Sequence, residues 1–243
     1  LRVNNNYYLE NYIKKSHYVF FLAFDVGGSK YLKKYQNSSK FILNNLSIMA
    51  NTFELLAKYK KPFLFASSQM SNMSYSNYGV LKLLGEKASS SINGNSVKFW
   101  NVYGVEKNLE KSHVITDFIL MALKNKKIKM LTNGEESRDF LHADDCSRGL
   151  KIIMKNHDKF KHKKKELHLT TGKFTKILDI AKLVQDIAGE DNIKVKIIKG
   201  KKRDILQKDK KNKYNYYLSR FWKPKIKIDL GIKEIYQYYK LNS

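Results

Sequence analysis

Apolar residues first gather between Tyr18 and Phe24, in a run that ends at Gly27-Gly28. A short apolar run stopped by glycines predicts a buried strand followed by a loop. From 38 to 61 the period changes. Phe41, Ile42, Ile48, Met49, Phe53, Leu55 and Leu56 recur at helical spacing, with Ser38 or Ser39 placed to cap the helix. A second strand is predicted over 61–70, with Pro62 at its start, where a missing N–H is tolerated. A helix follows over 75–90 and a third strand over 95–104. Strand, helix, strand, helix, strand is the order of a parallel sheet flanked by helices.

Beyond Gly104 the alternation loosens. The pattern predicts a helix over 112–125, then short strands over 127–145 around a turn at Asn133-Gly134. A helix over 144–156 follows, which Asp144 and Asp145 are placed to cap. The run KHKKK (161–165) reads as a solvated loop. After it come a strand over 166–172, a helix over 176–189 closed by Gly189, a strand over 193–200 and a terminal helix over 232–240. No internal repeat is visible. The expected class is α/β, with a smaller α+β lobe wrapped onto a parallel sheet.

Composition changes this picture little. With 42% apolar residues in 243, a sizeable core is possible. No apolar run is long enough for a membrane span. The single cysteine, Cys146, fits a reducing cytoplasm. The net charge of +25, from 47 basic and 22 acidic residues, allows a polyanion partner. Arginine is scarce, however, and no nucleic-acid motif is visible. Lys, Asn, Ile and Tyr are abundant together, as a biased codon supply would produce. The charge therefore reads as a solvated surface, and nucleic acid is not the expected partner. No metal site is expected. The chain begins with Leu1 and reads as a piece of something longer.

The chemistry gathers around SNYGVLKLLGEK (76–87), where Tyr78 and Lys82 lie one helical turn apart on one face. A phenol, with a pKa near ~10, is a poor base alone. A neighbouring ammonium lowers that value, and the pair can then take a proton from a substrate hydroxyl. A surface Tyr and Lys is the plainer alternative, because both residues are abundant here. Ser67 and Ser68 close the preceding strand, at the edge where a parallel sheet opens its ligand crevice. A serine there reaches the same substrate oxygen. Strand–Ser followed by helix–Tyr–Lys is a stronger signal than any of its parts.

With these residues the chain resembles the extended short-chain dehydrogenase/reductases, the NAD-dependent sugar-nucleotide epimerases and dehydratases. The matches arrive in family order over nearly the whole chain. FFLAFDVGG is similar to the strand and loop over the cofactor, with Phe21 where a histidine is usual. NNLSIMANTFELL is similar to N-x-x-G-T-x-N-L-L, with Ile48 at the glycine. FLFASSQM resembles the serine strand, and YGVLKLLGEK the Y-G-x-S-K-x-x-x-E helix, with Leu81 replacing a serine. KFWNVYG, SRDFLHADD and FWKPKIKIDLGIKEIYQYYK complete the set.

The resemblance implies a Rossmann-like parallel sheet, lacking its N-terminal part, and a substrate lobe. It implies a partial NAD(P)-binding domain over 1–104, with 137–157 contributing, and a nucleotide-sugar lobe over 105–136 and 158–243. It implies Tyr78 as general acid/base, Lys82 as a second partner of the nicotinamide ribose, and Ser68 as the polariser of the reacting oxygen. Leu22, Ala23, Phe24, Asn45 and Ala66 join Tyr78 and Lys82 along an NAD or NADP cofactor. Asn101 and Arg138 contact the nucleotide-sugar; an ion pair of Arg138 with Glu135, Glu136 or Asp139 is the alternative. Lys201 stands three residues before Asp204 where the family often has an arginine, and Arg203 is its substitute. A homodimer is expected, because helices 38–60 and 75–90 carry apolar stripes beyond what one sheet face needs.

No G-x-x-G-x-x-G turn occurs in the chain. Leu1-Arg2 corresponds to a point just before the family's third helix, so roughly the first quarter of the family domain is expected to be missing, and this piece alone is expected to be inactive. Gln69 and Met70 follow the serine where dehydratases and decarboxylases carry acidic residues, which argues against both reactions. Cys146 lies far off and the loop directly after NVYG holds no histidine, so epimerisation at C3 and C5 is not expected either. Reversible hydride transfer at one sugar carbon, C4 above all, needs only Ser, Tyr, Lys and the cofactor. The rival readings are a non-catalytic Rossmann-like protein that binds nucleic acid, a decayed enzyme, and a 4,6-dehydratase.

Overall fold

The computed structural model describes residues 6–92, 94–161, 166–202 and 213–242. The first part runs α1 (Asn6–Lys15), β1 (Val19–Phe21), α2 (Ser29–Tyr35), α3 (Ser39–Lys58), β2 (Phe63–Ser68), α4 (Asn77–Ser91), β3 (Asn95–Phe99) and β4 (Asn101–Tyr103). The rest runs α5 (Val114–Asn125), β5 (Lys127–Lys129), β6 (Ser137–His142), α6 (Ala143–Lys155), α7 (His157–Lys161), β7 (Leu167–Leu169), β8 (Phe174–Lys176), α8 (Ile177–Glu190), β9 (Lys196–Ile198) and α9 (Ile228–Leu241).

Strands β1, β2, β3 and β7 form one parallel sheet in that order. All six residues of β2 are buried, as a central strand covered on both faces requires. Its side chains alternate. Phe63 and Phe65 pack with Phe21, Phe41, Met49 and Leu56 beneath α3 and α4, while Leu64 faces Val97, Leu150, Ile153 and Leu169 on the α6 side. Ser38 caps α3, its hydroxyl accepting from Phe41 N at 3.2 Å.

At Trp100 the chain leaves this sheet. It continues as β4, which pairs in parallel with β6, and β6 pairs antiparallel with β8. A third core of Ile119, Ile128, Val184, Ile232 and Tyr236 joins α5, α8 and α9. The strand β7 belongs to the first sheet, although 158–243 as a whole was expected in the lobe.

Three local expectations change. The strands over 127–145 do not pair around Asn133-Gly134; β5 pairs with β9 and β6 with β4 and β8. Gly189 lies inside α8, whose C-cap is Asp191. His142, not an aspartate, caps α6, and buried Asp145 instead accepts from Lys225 N and Ile226 N, both at 2.8 Å. Among the described residues no helix is long and apolar enough to cross a membrane. Residues 162–165 of the lysine run, Leu1-Arg2, Arg203 and Asp204 lie outside the described residues.

Candidate functional site

Ser68 is the last residue of β2, at the C-terminal edge of the parallel sheet. Its hydroxyl accepts from Met70 N at 3.1 Å and opens a short 3-10 turn, Gln69–Asn72. That turn feeds α4, where Ser76 caps the helix by accepting from Gly79 N at 3.2 Å. Gly79 is needed here, because a Cβ would collide with the carbonyl oxygens of Met70 and Met73. The close approach carries Tyr78 to Ser68, near enough for the Ser68 hydroxyl to favour the ionised phenol. Lys82 follows one turn later on the same face, also buried. The structure thus brings Ser68, Tyr78 and Lys82 together.

The electrostatics differ from the expectation for a Tyr–Lys pair. Burial pushes the Tyr78 phenol up to about 12, opposed only by the nearby Ser68 hydroxyl. Burial pushes Lys82 down to about 7, while Glu86 works the other way. The Lys82 amine donates to Ala66 O at 2.6 Å and lies 5.8 Å from the centroid of the Tyr78 ring. Phe24 lies closer, its ring centroid 3.7 Å from the same nitrogen. Desolvation disfavours the charged form of both groups, so neither helps the other to ionise in this arrangement.

The other expected residues occupy several places. Leu22 and Ala23 are exposed at the end of β1, and Phe24 is half-buried. Ala66 is buried in β2, with its carbonyl used by Lys82. Asn45 is fully buried on α3. Its carbonyl accepts from Asp25 N at 2.7 Å, and its amide donates to Asp25 O and Phe41 O. Asn45 therefore fixes the loop after β1 instead of offering its amide to a ligand.

Asn101 and Arg138 meet at a separate cavity of about 220 Å³. Lys30, Lys33, Lys129 and Lys202 join Arg138 on its wall, against Asp117 and Glu136, and Lys30 pairs with Asp117 at 2.7 Å. Five cations facing two carboxylates favour a polyanionic ligand. Lys201 is exposed, and its neighbour Lys202 takes the wall position. The Asn101 amide donates to Asp139 O at 3.2 Å, and Arg138 donates to Ser137 O at 2.8 Å. Ser68, Tyr78 and Lys82 are not on this wall. Ser68 pairs with Phe99, however, two residues before Asn101. At about 3.3 Å per residue and ~4.8 Å between strands, the wall begins within roughly 10 Å of Ser68.

Two groups escape a reading by spacing. Ser67, Lys98 and His168 are register neighbours on β2, β3 and β7. Ser67 bonds Glu86, Lys98 pairs with Glu166 at 2.7 Å, and His168 links Glu166 (3.2 Å) to Trp100 (3.3 Å). The pairing register, invisible before the strands are aligned, creates this network. His113, on the cavity wall, is held by Glu106 through Nδ1 at 2.5 Å. A histidine opening an apolar helix, seven residues after a glutamate, was the available signal.

The residues present fit the reacting half of a nicotinamide dinucleotide. Tyr78 and Lys82 are buried beside the ring of Phe24, in the loop that follows exposed Leu22. For the pyrophosphate the chain has no Gly-rich turn.

Known proteins are similar to this chain in sequence and in fold. The GDP-L-fucose synthase of Sinorhizobium fredii (strain NBRC 101917 / NGR234) is 27% identical over 152 residues, 58% of this chain and 45% of that protein. UDP-glucuronic acid decarboxylase 3 of Arabidopsis thaliana is 24% identical over 146 residues, 59% of this chain and 40% of that protein. The chain thus spans less than half the length of these curated relatives. Among solved structures, the UDP-glucose 4-epimerase of Thermotoga maritima has the same fold, with a TM-score of 0.77 at 19% identity over 96% of this chain and 82% of that one. A GDP-6-OMe-4-keto-L-xylo-heptose reductase from C. jejuni superposes with a TM-score of 0.81 at 20% identity, covering 98% and 87%. Residues 2–168 match the NAD dependent epimerase/dehydratase family, and the chain belongs to it.

Proposed function

We propose that this chain carries the catalytic centre of an NAD(P)-dependent sugar-nucleotide epimerase or ketoreductase, working by reversible hydride transfer at one sugar carbon, C4. The observation that carries this reading is the convergence of Ser68, Tyr78 and Lys82 at the C-terminal edge of the parallel sheet. Bound nicotinamide supplies the acceptor and donor of the hydride. Tyr78 removes and returns the proton at the sugar oxygen, and Ser68 holds that oxygen by hydrogen bonding. Lys82 bonds a ribose hydroxyl, and its charge, once it turns toward Tyr78, favours the phenolate. Leu22, Ala23 and Phe24 line the path of the cofactor, and Asn45 orders that path from behind.

The nucleotide diphosphate lies in the cationic cavity, with Asn101 and Arg138 as its contacts. Arginine suits this task because its fork meets two oxygens at once. Lys202 supplies the distal cation on the described wall; Lys201 and Arg203 are its neighbours in sequence. The residues over 1–104 and 137–157 serve the cofactor, and most of the remainder serves the substrate. Exposed Leu43 on α3, with Val80, Leu83 and Leu84 on α4, forms the stripe through which two copies pair. A single buried cysteine suits a reducing cytoplasm.

Incubation of the full-length protein with UDP-, GDP- and CDP-sugars and NAD or NADP, followed by product stereochemistry, tests this reading. Inversion or ketone reduction at C4 is expected for one nucleotide series. Conversion of none, under conditions where dinucleotide binds, contradicts it.

A further inference from the structure

Lys82 is shut in on every side that the structure describes. Its nitrogen donates to Ala66 O at 2.6 Å, with Phe65 centred 5.0 Å away and Tyr78 5.8 Å away. Glu86 acts on it from the next helical turn. Ala66, Phe65 and Tyr78 are all buried. Phe24 differs from them: it is half-buried, belongs to no strand or helix, and has its ring 3.7 Å from the nitrogen. It also meets Tyr78 edge-on, at 5.8 Å and 77°. One ring from one loop therefore lies against both members of the proton-handling pair.

The backbone beside that ring is held fast. Asn45 bonds both the N–H and the C=O of Asp25, and the Asp25 carboxylate accepts from Lys111 at 2.7 Å and from Tyr31 at 2.6 Å. The loop is pinned one residue after Phe24, so the freedom left is the side chain's own rotamer.

We propose that Phe24 is a movable cover on Lys82: its ring holds the amine on Ala66 O and closes it to the cleft, and the ring must turn aside before a ligand hydroxyl reaches that amine. The cover replaces solvent with a π face, which satisfies the ammonium weakly and without direction. A hydroxyl that displaces the ring offers the amine a directed bond in exchange. Phe24 is thus a positioning residue that sets which state of Lys82 a ligand meets. The proposal rests on the reading of Lys82 as a partner of bound cofactor.

Competitive acylation with acetic anhydride over a pH series, read at Lys82 by mass spectrometry, tests it. The pH-independent rate constant separates access from ionisation. Phe24→Ala is expected to raise that constant severalfold, because it reports on the uncharged amine and the ring no longer blocks the reagent from it. Phe24→Leu, which keeps apolar bulk but loses the flat face, is expected to raise it less. Exposed Lys40 and buried Lys98 are internal standards and stay unchanged. If Lys98 also gains reactivity in the alanine variant, that variant has unfolded and the leucine variant decides. Equal constants in all folded chains overturn the proposal. If the variants free Lys82 while no chain binds nicotinamide mononucleotide by NMR titration, the cover stands and the cofactor reading falls.

Discussion

Lys82 carries an amine to a place where its partners are one carbonyl and a set of rings. Burial there lowers its pKa from 10.5 to about 7. Between these values the unfolded chain keeps a proton that the folded chain releases, so stability rises with pH across the window. Below about pH 7 the folded protein must bury the charge, and the whole penalty is present. Lys82→Met removes the penalty. Denaturant unfolding below pH 7 should show the variant more stable by on the order of 2–4 kcal/mol, with the gap closing toward pH 10. Equal stabilities below pH 7 would contradict a buried, weakly paired amine. At this scale the placing of Ser68, Tyr78 and Lys82 near one another was legible, because helical period and strand ends are local properties. The cover formed by Phe24 was not, because it depends on the path of a loop returning from another strand. The expected lowering of the Tyr78 pKa reversed for the same reason: spacing says which groups are near, and not how much water surrounds them.

Helix α4 owes its position to Gly79, which lets its first turn lie on the carbonyls of Met70 and Met73. Gly79→Ala forces those backbones apart. It is expected to cost about 1–3 kcal/mol and, by drawing Tyr78 from Ser68, to lower kcat at least ~tenfold. Gly189 is the control: it sits inside α8 with nothing within 4 Å of an added Cβ. Gly189→Ala should be neutral or stabilising by up to ~1 kcal/mol. Paired thermal melts and steady-state rates check both, and equal behaviour of the two variants would refute the packing argument. The long helices were readable because their apolar period persists over many residues. Strands β5 and β6 were misjoined because their partners, β9 and β8, come from far along the chain. Asp145 looked like a cap for a similar reason, since its partners Lys225 and Ile226 are distant in sequence.

In the molecule as a whole, β3 and β4 run from the parallel sheet beside Ser68 to the cationic cavity at Asn101. The class of fold and the parallel sheet built from the first three strands were legible from the alternation of elements. The addition of β7 was not: a strand over 166–172 was expected, but its partner β3 lies far back in the chain, and nothing local says which sheet it joins. The proposed pairing of two copies through the apolar stripes of α3 and α4 predicts a dimer. Light scattering should give twice the chain mass, and Leu84→Lys, placing a charge in an exposed apolar stripe, should shift that mass toward the monomer. A monomeric mass for the unmodified protein would count against pairing through these helices.

Turnover by Tyr78→Phe weighs most directly on the role of the phenol. The variant keeps the ring against Phe24 and loses only the phenolic hydroxyl beside Ser68. With the sugar nucleotide that the full-length protein converts, kcat is expected to fall at least ~100-fold, the scale of a lost general acid/base, while dinucleotide binding stays nearly unchanged. Normal turnover by the variant would contradict the assignment of Tyr78.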